Sequence, residues 1–179
     1  MRIISGNHRG KKINAPEGLP VRPTTDMAKE SLFNILNNYF FFDGIRVLDL
    51  FAGTGNISYE FAARGALSVL SVDIHQPCVQ FMNKTAQALQ FTNMRAIKAD
   101  ALPFLEHCMQ PFNIIFADPP YDWEQYERIP ELVFRQQLLQ PDGFLVIEHS
   151  HAHRFDTLPH FFQHRSYGKV NFSFFAENL

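Results

Sequence analysis

Asp49-Leu50-Phe51-Ala52-Gly53-Thr54-Gly55 is a segment whose residue types and spacing suit ligand chemistry. Its glycines let a backbone approach a ligand closely, with no Cβ in the way. The third glycine of a dinucleotide turn is replaced by Ser58. No Gly-Lys-Ser/Thr follows, so the turn is not a phosphate-cradling P-loop either. Asp49 leads the turn, and a carboxylate there repels a pyrophosphate but suits a cation. The cation that fits is the sulfonium and amino group of S-adenosylmethionine. Asp73 stands 18 residues beyond Gly55, where a carboxylate can accept ribose hydroxyls. Asp100 closes a third apolar run and can meet an adenine amino group. One acid at a strand end is commonly a helix cap, but three at successive strand ends form a pattern.

The other reactive segment is Asp118-Pro119-Pro120-Tyr121. Two prolines remove two N–H donors and stiffen the backbone. What remains is a set of acceptors: the carbonyls and the Asp118 side chain. Tyr121 adds a face on which a planar base can stack. An exocyclic amine donating to Asp118 and a proline carbonyl has its lone pair freed to attack a methyl group. The chemistry is in-line displacement at a sulfonium methyl, driven by positioning and electrostatics without a strong base.

These segments need a scaffold that brings strand ends together. Arg46–Phe51, Ser68–Asp73, Met94–Asp100, Phe112–Ala117 and Phe144–Glu148 read as buried strands. Helices are expected from Gly55 to about Arg64, over Gln76–Gln90, over Leu102–Met109 and around Glu124–Gln137, the last broken by Pro130. Strands alternating with helices give βαβ units, a mostly parallel sheet and helices on both faces. Before them, Ala28, Leu32, Ile35, Leu36 and Tyr39 recur at helical spacing behind candidate caps Thr24, Thr25 and Asp26. Residues 1–13 read as a hairpin around Ser5–Gly10, and Pro16, Gly18, Pro20 and Pro23 as an irregular linker. The tail, with Phe161-Phe162 and Val170–Phe175 around Tyr167-Gly168-Lys169, reads as an antiparallel hairpin at a sheet edge. The division expected is a hairpin and linker over 1–23 and a catalytic domain over 24–179.

The chain has 179 residues, enough for one compact domain without a disulfide or metal staple. Two cysteines, Cys78 and Cys108, fit a reducing, cytoplasmic setting. No apolar run reaches the ~20 residues of a membrane helix. The net charge of −2 argues on its face against nucleic acid. The charge is uneven, however: residues 1–22 carry a net +4 and the remaining 157 carry −6.

The glycine turn, Asp73 and Asp118-Pro119-Pro120-Tyr121 resemble class I S-adenosylmethionine-dependent amino-methyltransferases. Met1-Arg-Ile-Ile-Ser-Gly, Arg22-Pro-Thr-Thr-Asp26 with Lys29-Glu30, Leu32-Phe33-Asn34, Glu60 and Arg64-Gly65-Ala66 narrow the resemblance to the RsmD family. It runs from the hairpin to about Glu148 and weakens beyond. That resemblance implies a doubly wound, Rossmann-like sheet of seven strands with a small N-terminal β-hairpin extension. It implies methyl transfer to N2 of a guanine in 16S ribosomal RNA, within an assembled or partly assembled small ribosomal subunit. By the resemblance, Asp49, Phe51, Ala52, Gly53, Thr54, Gly55, Asp73, Ile74, Asp100 and Ala101 hold the cofactor. Asp118, Pro119, Pro120 and Tyr121 hold and stack the guanine. Arg2, Arg9, Lys11, Lys12 and Arg22 contact phosphate. Met27 stands where the family carries a basic residue.

Other readings compete. Adenine-N6 DNA methylation shares the Asp-Pro-Pro-Tyr segment but needs a target-recognition region for which this chain has no room. Protein glutamine methylation shows Asn where Asp118 stands. A non-catalytic RNA-binding assembly factor has no need of an intact Asp118–Tyr121 segment. His149, His151 and His153 alternate, so in a strand they share a face and form a candidate zinc set. Methyl transfer needs no metal, and a polar strand end is the simpler reading. A monomer is expected.

Overall fold

In the computed structural model, which describes residues 1–21 and 24–178, five neighbouring parallel strands form the larger part of one sheet. They are β1 (Arg46–Leu50), β2 (Ser68–Asp73), β3 (Met94–Lys98), β4 (Phe112–Ala117) and β5 (Leu139–His149). Between them run α2 (Asn56–Ala63), α3 (Gln76–Ala88), α4 (Ala101–His107) and α5 (Arg128–Arg135), with α1 (Asp26–Leu36) before β1. The antiparallel pair β6 (Phe161–Tyr167) and β7 (Val170–Phe175) completes a seven-stranded sheet of order β3-β2-β1-β4-β5-β7-β6. The order reverses between β1 and β4, and it is there that ligands bind in open α/β sheets.

Successive strand residues face opposite sides. Val47, Val69, Ile114 and Val146 pack with α1, α2 and α3 on one face. Leu48, Leu50, Ile115 and Leu145 pack with α4 and α5 on the other. α1 begins where the Thr25 hydroxyl accepts the Ala28 N–H at 3.2 Å, one of the three expected caps. Pro77 sits in the first turn of α3, where its missing N–H costs nothing. Among the described residues, no helix is long and apolar enough to cross a membrane.

Three elements depart from the expectations. Pro130 does not break its helix, because α5 starts at Arg128 and places the proline in its first turn. β5 begins at Leu139, not Phe144. Pro141-Asp142-Gly143 is an irregularity inside the strand, since Leu139 already pairs with Phe112 and the register shifts before Ile114. Asp142 turns the chain with φ +63°. The N-terminal hairpin is shorter than expected: Arg2 and Lys12 form its one bridge among the described residues.

That short hairpin is nevertheless fixed. Ile3 and Ile13 are buried in the same core as Leu32 and Phe33 of α1. The Glu60 carboxylate, in the last turn of α2 and wholly buried, accepts the N–H groups of Ile4 at 2.9 Å and Ser5 at 3.0 Å. Lys29 (3.4 Å) and Arg64 (2.9 Å) neutralise it. Lys29 also donates to the Arg2 carbonyl and to Asn56. Burial lowers the Lys29 pKa, and Glu60 opposes that shift. The Asn7 N–H then caps the Ala63 carbonyl at 2.7 Å.

Candidate active site

The strand ends that carry the acids open onto a cavity of about 530 Å3. That lies within the roughly 300–1,000 Å3 of small-ligand pockets. Asp49, Phe51, Ala52, Gly53, Thr54, Asp73, Ile74, Asp100, Ala101, Asp118, Pro119, Pro120 and Tyr121 all line it. Gly55 is not among the lining residues. It starts α2 with φ +85°, and a Cβ there would lie 2.9 Å from Met82 and 3.1 Å from Tyr59. Its missing side chain lets α2 and α3 pack closely.

Gly53 does lie at the cavity, with φ +55°, and its N–H donates to Asp73 Oδ2 at 2.8 Å. Asp73 Oδ1 accepts the His75 N–H at 2.8 Å. The carboxylate thus ties the glycine turn to the end of β2. Oδ1 also meets the His75 ring at Nδ1, 3.0 Å away, so it is Oδ2 that keeps a second lone pair for a hydroxyl donor. Phe51 holds a left-handed backbone, φ +58°, rare for a bulky residue. Such strain collects at ligand sites, and here the ring is set edge-on against Trp123, 5.0 Å away.

Asp49 lies on the α2 side of β1 and is almost fully buried. Its Oδ2 accepts the Ser58 hydroxyl, which also meets the Ser71 hydroxyl at 2.7 Å. Burial pushes the Asp49 carboxyl up to about 7; Ser58 opposes this, while Asp118 and Asp73 add to it. A buried carboxyl poised near neutrality, with two acids close by, is stabilised by a cation.

Asp118-Pro119-Pro120-Tyr121 leaves the end of β4, its first N–H donating to the Leu50 carbonyl at 3.3 Å. It lines the same cavity as the glycine turn. The chain supplies further walls that sequence reasoning missed. Pro20, Val21 and Thr24 of the linker close over the glycine turn, with a Gly53 Cβ falling 3.1 Å from Val21. Asn56 holds that linker by donating to the Thr24 carbonyl at 3.0 Å. Trp123 is the chain's one tryptophan and also lines the cavity. Nothing in the local pattern marks these residues; only the Asn56 position, first in α2, was a usable signal.

Among the described residues, the basic side chains of the hairpin do not line the cavity. Arg9, Lys11 and Lys12 are exposed on the hairpin, and Arg2 pairs with Asp26 at 3.3 Å. Arg22 lies outside the described residues. The hairpin still reaches the site, since the Thr54 hydroxyl contacts Met1 Sδ at 3.9 Å.

The three alternating histidines do not share a strand face. β5 ends at His149, and His151 and His153 follow in turns. His149 bonds the Ser150 carbonyl and the Ser173 hydroxyl through its two ring nitrogens, both at 2.8 Å. Burial lowers its pKa to about 4, so it is a neutral core imidazole. Among the described residues, no three His, Cys, Asp or Glu side chains are grouped to hold a metal ion.

Comparison with known proteins closes the question of kinship. Residues 1–176 match the family described as conserved hypothetical protein 95. The chain is 30% identical to "Ribosomal RNA small subunit methyltransferase D" of Escherichia coli K12, over 89% of this chain and 79% of that protein. The chain belongs to the RsmD family. Another relative, "Putative rRNA methyltransferase YlbH" of Bacillus subtilis, is 37% identical over 83% of this chain and 82% of its own length. The structure named "Putative methyltransferase yhhF" from Escherichia coli superposes with a TM-score of 0.84 at 29% identity, covering 98% of this chain and 96% of that one. As an RsmD-family methyltransferase, the chain shares its fold with that structure over nearly its whole length.

Proposed function

We propose that the chain transfers a methyl group from S-adenosylmethionine to the exocyclic N2 amine of a guanine in small-subunit ribosomal RNA. The carrying observation is one cavity that joins an acid-lined glycine turn to Asp118-Pro119-Pro120-Tyr121. The residues present suit the methyl donor. Asp49 is placed for its cationic amino end, Asp73 for ribose hydroxyls, Asp100 for an adenine amine, and Ile74 and Ala101 for the ring. The backbone of Phe51, Ala52, Gly53 and Thr54 lines the remainder. The donor supplies an electrophilic methyl group on a sulfonium.

The chain's own residues do the orienting. Asp118 and the Pro119 carbonyl accept the two N–H groups of the amine, which directs its lone pair at the methyl carbon. Tyr121 stacks the base, and Pro120 keeps the segment stiff. The N–C bond forms as the C–S bond breaks, and sulfur keeps the electron pair. The methylated amine then loses a proton to water, being acidic only after attack. Aligning the two partners is the main contribution. Arg9, Lys11 and Lys12, with Arg2 and Arg22, meet phosphates of the folded RNA. A slightly acidic protein with one basic hairpin favours a shaped ribosomal particle over naked RNA. The names of its RsmD relatives support ribosomal RNA as substrate.

The test is labelled-methyl transfer to small-subunit particles, naked 16S RNA and duplex DNA, with mapping of the modified atom. Transfer to guanine N2 in the particle is expected. Asp118→Ala should lower the rate by at least about a hundredfold and leave donor binding intact. Transfer to DNA alone, or an unimpaired Asp118→Ala, overturns the reading.

A further inference from the structure

Tyr126 precedes α5 and is almost wholly buried, yet its hydroxyl points back at the catalytic segment. It donates to the carbonyls of Pro119 and Pro120, both at 3.1 Å. A phenol has one hydrogen, so the two carbonyls share it. The Pro120 carbonyl has a second donor, the Trp123 N–H at 2.9 Å. His153 lies over Tyr126, with ring centroids 4.0 Å apart and planes 31° apart. Its Nε2 also reaches the Tyr121 carbonyl at 3.4 Å. Trp123 packs on Tyr126 at 5.8 Å and on Phe51 at 5.0 Å. One aromatic stack thus connects the tail, the catalytic segment and the glycine turn.

We infer that Tyr126 is a positioning residue for methyl transfer, with His153 holding it in place. Pro119 and Pro120 have no N–H, so beyond the Asp118 bond to Leu50 these two residues donate nothing to the sheet ladder. Tyr126 supplies the missing constraint from outside. Its hydroxyl takes one lone pair of the Pro119 carbonyl and leaves the other for the amine of the target base. The direction of that free lone pair decides where the nucleophile points. The inference rests on the methyl-transfer reading above.

The experiment compares wild type with Tyr126→Phe and His153→Phe. Phe at 126 keeps the ring and removes only the hydroxyl. Phe at 153 keeps the stack and removes the bond to Tyr121. With small-subunit particles as substrate, Tyr126→Phe should lower kcat between about tenfold and a hundredfold. The KM for S-adenosylmethionine should stay unchanged, and the melting temperature should fall by no more than a few degrees. His153→Phe should lower kcat less, and it carries the test if Tyr126→Phe does not fold. Amide exchange at Trp123, read without any substrate, should accelerate several-fold in Tyr126→Phe. An active wild type with an unimpaired Tyr126→Phe overturns this inference alone. So does a variant that loses kcat, donor affinity and thermal stability together, because that marks a packing residue. A wild type that methylates no guanine in any of the substrates overturns the proposed function, and this inference falls with it.

Discussion

Asp49 gives the most quantitative handle on the site. Its carboxyl is raised from 3.8 to about 7, chiefly by burial. In the unfolded chain it ionises near the ordinary value; in the folded chain it keeps its proton about three pH units longer. The stability this proton contributes is present in full below the unfolded value and is lost as pH rises through about 7. The slope is about 1.4 kcal/mol per pH unit between those limits. Asp49→Asn removes the titration while keeping an acceptor for Ser58. Relative to that variant, the wild type should therefore lose about 2.5 kcal/mol between about pH 5 and about pH 8. Urea unfolding at several pH values measures the gap. Donor binding should run the other way. A cation prefers the ionised carboxylate, so S-adenosylmethionine should bind more tightly as pH rises towards about 7 and should expel a proton on binding. At about pH 6.5, up to about three-quarters of a proton should leave. Calorimetry in buffers of different ionisation heat reads that number. A stability gap that does not change with pH, together with no proton release, would refute the reasoning.

Charge reversal on the hairpin, Arg9→Glu with Lys12→Glu, should weaken RNA binding and reduce its salt slope by about two, with S-adenosylmethionine affinity unchanged. Equal loss of both affinities would show the hairpin to be only a structural part. Glu60→Gln leaves Lys29 and Arg64 buried without their counter-charge and should cost about 3–5 kcal/mol. Gln keeps one acceptor oxygen for the two N–H groups, so one of the Ile4 and Ser5 amides should be freed, read by hydrogen exchange; if both stay fully protected, Glu60 is not the anchor of the hairpin.

Much of the fold was readable because its signals are local. The five buried runs, the edge hairpin and the Thr25 cap need only periodicity and near neighbours. The glycine turn and the four acids were readable because strand ends in a doubly wound sheet must converge. The misreadings came from pairing and placement. Pro130 looks like a breaker until the helix start is known to lie two residues before it. Pro141-Asp142-Gly143 looks like a turn until the pairing of Leu139 with Phe112 of β4 shows it to be a bulge within β5. Alternation of His149, His151 and His153 means one face only if the strand continues, and it stops at His149. Glu60, Tyr126 and His153 were unreadable as partners, because their contacts lie 56, 7 and 32 residues away in sequence. Gly55 belonged to the right segment, but its φ and its closeness to Met82 are tertiary facts.

The short helix α2 has a consequence of its own. All eight of its residues are buried. The glycine turn leads into one end, and the N-terminal loop is clamped to the other through Glu60 and Ala63. At 1.5 Å per residue it is a rod of about 12 Å. It works as a gauge block: the span between the glycine turn and the basic loop is set by a count of residues. A single residue added inside α2 would shift one end by about 1.5 Å and rotate it by about 100°. A changed charge at either end leaves that length as it is, whereas a changed length requires both ends to be rebuilt at once.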